Sequence, residues 1–496
     1  MRLIGSSACF HLASFLLFHL SVADAFRSIG GGQTGGNSNT KNHPLRKNDD
    51  DSSTVLEATS EGSDSEDSLF ETPMPRWHCP MHEDVCTETG VTLSRYMKEL
   101  VRANPDLEEI ESIFTSLQVA CKTLSNLVKT SAISGLTGLE DGGGSINVQG
   151  EEQKKLDVIA NDVLKRALRW SGQLSTIASE EEDKPVNILG NAIFSGEILI
   201  ENSGRYVAVF DPLDGSSNVD AGIPVGTIFG IFDSAECSVE DIDLDDPDKA
   251  EEKCLQDTLQ PGTNLVAAGY CLYSSATSFV FTLGSGVYGF TLDETIGEFV
   301  LTHPDIKIPK RGKIYSFNEA NRWDWDAPLQ KYVTDIQKGL GDTKSRYSSR
   351  YIGSMVGDVH RTLQYGGIFG YPADIKNPDG KLRLLYEAAP MAFLVEQAGG
   401  LALTGKNRIM DIPPTNVHQR VPCILGSRED VLEMRRYYVE SKDPELIARC
   451  KDRLSGTTRA LEETEGSSSS FLGIHNSDAK IETETEAAIG EFGAAQ

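Results

Sequence analysis

The sequence predicts a mixed α/β or α+β sandwich, on three observations. Helical spacing dominates from Thr92 to Leu168. Strand-like runs bounded by turn residues take over from Tyr206 to Val300. The second half then alternates helix with strand. Thr92–Ala103 reads as a helix. Leu107–Lys129 reads as another, because Ile113, Leu117, Cys121, Leu124 and Val128 recur at helical spacing and mark a buried stripe. The stretch Ser134–Gly150 contains Gly142-Gly143-Gly144, which suits neither a helix nor a strand interior and marks a mobile loop. Lys155–Leu168 returns to helix. Arg205–Phe210 reads as a strand that ends at the acids beginning with Asp211, and Gly226–Phe232 as another. Asn264–Gly269, Ser278–Leu283 and Gly286–Phe290 are further strands, with Ser285-Gly286 as a hairpin turn. Leu384–Gln397 is a helix stopped by Gly399-Gly400. Leu401–Thr404 and Pro422–Leu425 are strands, and Ser427, with Asp430 three residues on, caps a last helix through Ser441.

The 496 residues, 39% of them hydrophobic, suffice for a large core in one or two domains once the ends are set aside. A net charge of −28 argues against a nucleic-acid partner, since phosphate backbones need Lys and Arg. A phosphorylated small ligand needs only a local basic pocket or bridging metal ions. Arg2, the apolar run Ala8–Val22 and the Ala23-Asp24-Ala25 site read as a signal peptide over 1–25. That run is too short and polar for a membrane span, and no other is long enough, so no membrane is expected for the mature form. Phe26 opens an acid-free stretch to Lys47 that resembles a plastid transit peptide, and 26–72 reads as transit peptide plus linker. The tandem resembles the bipartite presequence of algae with complex plastids and implies the plastid stroma; plain secretion with an N-terminal arm suits the same residues. Segments 48–72 and 452–496 have the composition of disordered chain.

The most informative run is Asp211-Pro-Leu-Asp214-Gly-Ser-Ser-Asn218. Two carboxylates at a strand end, beside consecutive backbone N–H groups from Gly215, Ser216 and Ser217, suit Mg²⁺ and a phosphate together. Alone, the run also suits an acidic surface turn with an N-capping Asp. Glu180-Glu181-Glu182-Asp183 and Lys154-Lys155-Leu156-Asp157 are further acidic candidates. Lys381, Arg383 and Glu387 share one segment, where Arg383 and Glu387 either form an i, i+4 ion pair or hold phosphate and metal.

From about Thr92 to Arg449 the chain resembles the class I fructose-1,6-bisphosphatase family. The resemblance rests on KKLDV (154–158), SEE (179–181), DPLDGSSN (211–218), GTIFGIF (226–232), LQPGTNLVAAGY (259–270), RYIGSMVGDVHRTLQYGGIFGYPA (350–373), GKLRLLYE (380–387) and AGGLALTG (398–405), in family order. It implies a layered α-β-α-β-α sandwich of the sugar phosphatase (inositol monophosphatase-like) superfamily, with subdomains at 73–305 and 306–451. It implies hydrolysis of the 1-phosphate of fructose 1,6-bisphosphate by a homotetramer carrying two to three Mg²⁺ per subunit, with Mn²⁺ as a substitute. Sedoheptulose-1,7-bisphosphatase is the nearest rival.

The same resemblance assigns metal binding to Glu180, Glu181, Asp211, Asp214, Glu387 and the Leu213 carbonyl. Asp157 and Glu181 act on the attacking water, and Glu151 sits on the mobile loop. Gly215, Ser216, Ser217 and Arg383 cradle the 1-phosphate. Asn318, Tyr351, Ser354, Met355, Tyr371 and Lys381 face the sugar and the 6-phosphate, which Arg350 reaches from a neighbouring subunit. Asn321 stands where many relatives carry a Tyr. The acidic insertion 233–257 resembles the redox loop of plastid relatives, which implies a Cys237–Cys254 disulfide reduced by f-type thioredoxin; two unpaired thiols on an acidic loop are the alternative. Cys79 and Cys86, beside His78 and His82, are poorly spaced for zinc and suit a second disulfide or no special role. Cys121, Cys271 and Cys423 sit in apolar surroundings and read as core.

Overall fold

A computed structural model describes residues 76–77, 79, 90–139, 153–182, 186–187, 204–234 and 255–441. The chain divides into two units, Met1–Ser68 and Leu69–Gln496, and every described residue lies in the second. Helix α1 is Leu93–Ala103, capped by the Thr92 hydroxyl, which accepts from the Arg95 N–H. Helix α2 is Glu108–Ser134. It runs past the expected end at Lys129 because nothing breaks it before Gly135, whose φ of 69° is left-handed. Helix α3 is Lys155–Arg169.

Strands β1 (Leu174–Ser179), β2 (Val186–Asn187), β3 (Tyr206–Asp214), β4 (Val225–Asp233), β5 (Leu265–Tyr273), β6 (Thr277–Thr282), β7 (Tyr288–Asp293) and β8 (Glu298–His303) form one sheet in the order β2-β1-β3-β4-β5-β6-β7-β8. All its pairs are antiparallel except β1 with β3. A second sheet is built from β9 (Ile314–Phe317), β10 (Ser348–Ser349), β11 (Ile368–Tyr371), β13 (Leu401–Leu403) and β15 (Cys423–Gly426), ordered β10-β9-β11-β15-β13. Strands β12 (Leu382–Arg383) and β14 (Arg420–Val421) pair with each other. The remaining helices are α4 (Ala327–Lys338), α5 (Met355–Tyr365), α6 (Ala389–Gln397) and α7 (Arg428–Glu440).

Strand alternation sorts the core. Tyr206, Ala208 and Phe210 on β3 face the apolar stripes of α1, α2 and α3, where Ile113, Leu117, Cys121 and Leu124 are fully buried. Val207 and Val209, on the opposite face, meet α5, α6 and the inner face of the second sheet. The outer face of that sheet, with Phe317 and Ile424, packs on α4 and α7. The result is five layers, α-β-α-β-α. Every residue of α6 is buried, as a helix between two sheets requires. An aromatic cluster of Phe114, Phe229, Phe279 and Phe281 locks the first helix layer to its sheet, with Phe114 and Phe281 rings 4.8 Å apart.

Two expectations change. Ser427 stands at the N-cap of α7, but its hydroxyl donates to the Pro309 carbonyl (2.6 Å) and accepts from the Gly367 N–H (2.9 Å). Buried backbone groups elsewhere claim it. The helix expected over Leu384–Gln397 opens instead with a π turn at Leu384–Ala388. Ala389 N–H bonds the Leu384 carbonyl, and Pro390 brings no N–H that would tighten the turn. No described helix is long and apolar enough to cross a membrane.

Candidate active site

Parallel pairing of β1 with β3 sets Ser179 opposite Phe210, so both strands point their C-terminal ends the same way. Glu180 and Asp211 are the next residues on each. Glu180 N–H bonds the Phe210 carbonyl (3.2 Å), which brings the Glu180 carboxylate beside that of Asp211. Strand β3 does not end at Asp211, as its acids suggested; it bulges and carries on to Asp214. Three bonds hold the bulge. Asp211 Oδ1 accepts from the Leu213 N–H (2.9 Å), the Pro212 carbonyl accepts from the Thr227 hydroxyl (2.9 Å), and Asp214 Oδ2 accepts from the Val356 N–H at the start of α5 (3.0 Å). Gly215, at a φ of 75°, then opens a 3₁₀ helix over Ser216–Ala221.

The π turn supplies Glu387. One carboxylate oxygen from each of Asp211, Asp214 and Glu387 lies within 4.8 Å of the others, and all three residues are buried. Burial and mutual repulsion push Asp214 up to about 7 and Asp211 well above the carboxylate range. Burial drives Glu180 up to about 8, although Arg383 opposes it. Arg383 pairs with Glu180 at 2.9 Å and lies 3.9 Å from Glu387, while its backbone N–H donates to Glu387 Oε2. The i, i+4 pair foreseen from sequence is therefore the weaker contact of this guanidinium. Four carboxylates around one Arg form a hard-oxygen donor set with excess negative charge, and it fits a divalent cation such as Mg²⁺.

Beside this wall, Asp157 on the first turn of α3 accepts from the Lys154 N–H (2.9 Å). Burial and the nearby Glu181 push it up to about 7. Glu181 Oε2 accepts from Gln153 Nε2 at 2.6 Å. Glu182 turns away to Lys165 and Asn161, so of the three consecutive acids Glu180 and Glu181 line the cavity. That cavity holds about 620 Å³. Asp157, Leu213, Gly215, Ser216, Ser217 and Arg383 line it, as do Tyr351, Ser354, Met355, Tyr371 and Lys381. Lys381 Nζ lies 5.6 Å from the Tyr371 ring centre. The buried Ser354 hydroxyl has no hydrogen-bond partner among the described residues.

Two expected residues do not line the cavity. Asn318 caps the 3₁₀ helix Glu319–Asp324, accepting from the Ala320 N–H. Arg350 is exposed and donates to the Ser349 carbonyl (2.8 Å). Glu151, Cys237, Cys254, Cys86, His78 and His82 lie outside the described residues. Cys79 is half-buried against the Ser285 carbonyl, whereas Cys121, Cys271 and Cys423 are buried free thiols.

Sequence reasoning missed Gln153, which touches Glu181, and Asp358. Asp358 is fully buried and accepts from Ser316, Arg361 and the N–H groups of Ile352 and Gly353, fixing the segment that carries Tyr351 and Ser354. Its i, i+3 spacing to Arg361 was the available signal.

Residues 91–304 match the family model described as Fructose-1-6-bisphosphatase, N-terminal domain, and residues 308–439 match Fructose-1-6-bisphosphatase, C-terminal domain. The chain is 52% identical over 353 residues to "Fructose-1,6-bisphosphatase 1, chloroplastic" of Arabidopsis thaliana, a match covering 71% of this chain and 80% of the relative. It is 50% identical over 357 residues to "Fructose-1,6-bisphosphatase, chloroplastic" of Spinacia oleracea, covering 71% and 81%. Among solved structures it is similar to Leishmania major fructose-1,6-bisphosphatase in holo form, with a TM-score of 0.62 and 40% identity, over 71% of this chain and 99% of that one.

Proposed function

The chain belongs to the fructose-1,6-bisphosphatase family, and we propose that its acidic cavity hydrolyses the 1-phosphate of fructose 1,6-bisphosphate to fructose 6-phosphate and phosphate. The observation that carries this reading is the convergence of Asp211, Asp214 and Glu387 within 4.8 Å, beside Arg383 and the Gly215–Ser217 turn. Glu180, Glu181, Asp211, Asp214, Glu387 and the Leu213 carbonyl would hold two to three Mg²⁺, for which Mn²⁺ would substitute. When bound, the cations neutralise the phosphate dianion and lower the pKa of water.

The chain's own groups do the rest. Arg383 and the N–H groups of Gly215, Ser216 and Ser217 hold the 1-phosphate. Asp157 and Glu181 orient the attacking water and take its proton; a carboxyl poised at about 7 suits a general base near neutral pH. The water oxygen bonds to phosphorus as the bond from phosphorus to the sugar C1 oxygen breaks, and the C1 oxygen leaves as an alkoxide that takes a proton from solvent. Tyr351, Ser354, Met355, Tyr371 and Lys381 orient the sugar and the 6-phosphate. Arg350, exposed, reaches the same phosphate in a neighbouring subunit of a homotetramer. Glu151 joins the site from the glycine-rich loop.

The chloroplastic names of the relatives support plastid localisation. The reading extends to entry through 1–25 and 26–72 into a complex plastid, and to activation by thioredoxin through a Cys237–Cys254 disulfide in 233–257. Residues 73–305 and 306–451 then act as two subdomains, followed by an acidic tail at 452–496. Phosphate release from fructose 1,6-bisphosphate and from sedoheptulose 1,7-bisphosphate, compared with Mg²⁺ and reductant, tests the substrate. The six-carbon sugar is expected to turn over faster; a clear preference for the seven-carbon sugar overturns the choice.

A further inference from the structure

We infer that His418 is a positioning residue that bolts together the two distant chain segments carrying the acidic wall. One segment is the turn after β1, with Glu180 and Glu181; the other is the π turn, with Glu387. His418 stands between them in the segment leading to β14. Its Nε2 lies 2.9 Å from the Glu182 carbonyl oxygen, 236 residues away in sequence, and its Nδ1 lies 2.8 Å from the Tyr386 hydroxyl.

The partners dictate the tautomer. A carbonyl oxygen can only accept, so Nε2 carries the proton. Nδ1 is then a lone pair, and the Tyr386 hydroxyl donates to it. The imidazole also meets the Tyr386 ring edge-on, at 5.9 Å and 73°. Both ends of this bridge are anchored. The Glu182 side chain is held by Lys165 and Asn161, and its N–H donates to the Ser179 carbonyl (3.3 Å). Tyr386 is fully buried and directly precedes Glu387. The imidazole thus adds, beside the Arg383–Glu180 pair, a second link that fixes the separation between Glu180–Glu181 and Glu387. Outer groups of this kind set how well first ligands converge on a cation, and losing one typically weakens binding by about 10- to 100-fold. Nothing in the sequence singles out this His, which stands alone in Asn416-Val-His-Gln-Arg420.

The inference rests on the proposed reading of these carboxylates as cation ligands. The test is Mn²⁺ binding to substrate-free protein, followed by electron paramagnetic resonance, together with steady-state kinetics and melting in EDTA. His418→Phe removes both hydrogen bonds, and Tyr386→Phe removes one. His418→Gln keeps an amide donor and a carbonyl acceptor. His418→Phe is expected to weaken Mn²⁺ binding by roughly 10-fold or more and to raise the Mg²⁺ needed for half-maximal activity. KM for the sugar bisphosphate at saturating Mg²⁺ stays unchanged. His418→Gln recovers most of the binding, and the His418→Phe/Tyr386→Phe double variant is no worse than His418→Phe. If His418→Phe does not fold, Tyr386→Phe carries the test, with weakened Mn²⁺ binding at an unchanged KM. Normal Mn²⁺ binding in either folded variant overturns the role of His418. A wild-type chain that takes up no Mn²⁺ overturns the cation reading and the inference with it.

Discussion

Two clusters in this molecule gather acids around an arginine, and they differ in what those acids face; around Arg311, Asp430 and Glu433 are buried while Glu429 and Asp342 reach solvent. Around Arg311, Glu429 (2.8 Å), Glu433 (2.6 Å), Asp430 (3.3 Å) and Asp342 (2.9 Å) all bond the guanidinium. Backbone and hydroxyl donors complete them. Gly312 N–H and Tyr347 serve Asp430, Asp342 N–H serves Glu433, and Arg436 adds a second cation at Asp342. Burial lifts Asp430 only to about 6. In the cavity, Asp211, Asp214 and Glu387 crowd one another, and the Arg383 guanidinium pairs with Glu180 at 2.9 Å but lies 3.9 Å from Glu387. Neighbouring composition therefore does not separate a structural cluster from a binding one; the direction in which the lone pairs are satisfied does.

The sharpest way to break the comparison is to remove one acid from each cluster. Asp214→Ala is expected to lower phosphate release by roughly 1000-fold or more. The melting temperature without metal should hold or rise, because lost repulsion offsets the lost bond to Val356. Glu433→Ala is expected to do the reverse, costing about 1–3 kcal/mol of stability by removing one of four acids on Arg311 and the acceptor of the Asp342 N–H, while kcat stays unchanged. Phosphate assays and urea denaturation read the two effects. An active Asp214→Ala enzyme, or a Glu433→Ala enzyme that folds well and turns over slowly, would dissolve the distinction.

The next effect is on pH. Asp157 and Asp214 at about 7 and Glu180 at about 8 all titrate above their unfolded values of roughly 4. Their neutral forms fit the metal-free fold. The stability they contribute is fully present below about pH 4 and is lost as pH rises through 7 and 8. In EDTA the protein should therefore melt at a lower temperature at pH 8 than at pH 6, with Mg²⁺ closing the gap. A melting temperature in EDTA that rises from pH 6 to 8 would mean the acids are already compensated, as they are around Arg311.

The smallest expected effect leaves both clusters untouched. Cys237→Ser should make activity without reductant equal to activity with it. If the variant still needs dithiothreitol, the switch lies at another pair of thiols.

How far these regions were legible follows from the same physics. The α2 stripe was readable because Ile113, Leu117, Cys121 and Leu124 obey one period and one face. The acids at 180, 181, 211, 214 and 387 were readable because their flanking motifs are specific to a family. The end of β3 was not, since two aspartates inside a strand contradict local propensity; the bulge and Thr227 hold them there. Strand β1, Leu174-Ser-Thr-Ile-Ala-Ser179, is short and half hydroxylic, and its all-buried pattern comes from lying between β2 and β3. The Arg311 network was invisible, because acids at 342, 429, 430 and 433 all look like solvated surface, and only the packing of α7 on the second sheet buries Asp430 and Glu433.

Phosphate release from fructose 1,6-bisphosphate by metal-stripped protein, followed as Mg²⁺ is added back, tests the account most directly. Activity should be absent in excess EDTA and return with Mg²⁺ in wild type, but not in Asp214→Ala. Undiminished release in excess EDTA would contradict the claim that this acidic wall works by holding cations.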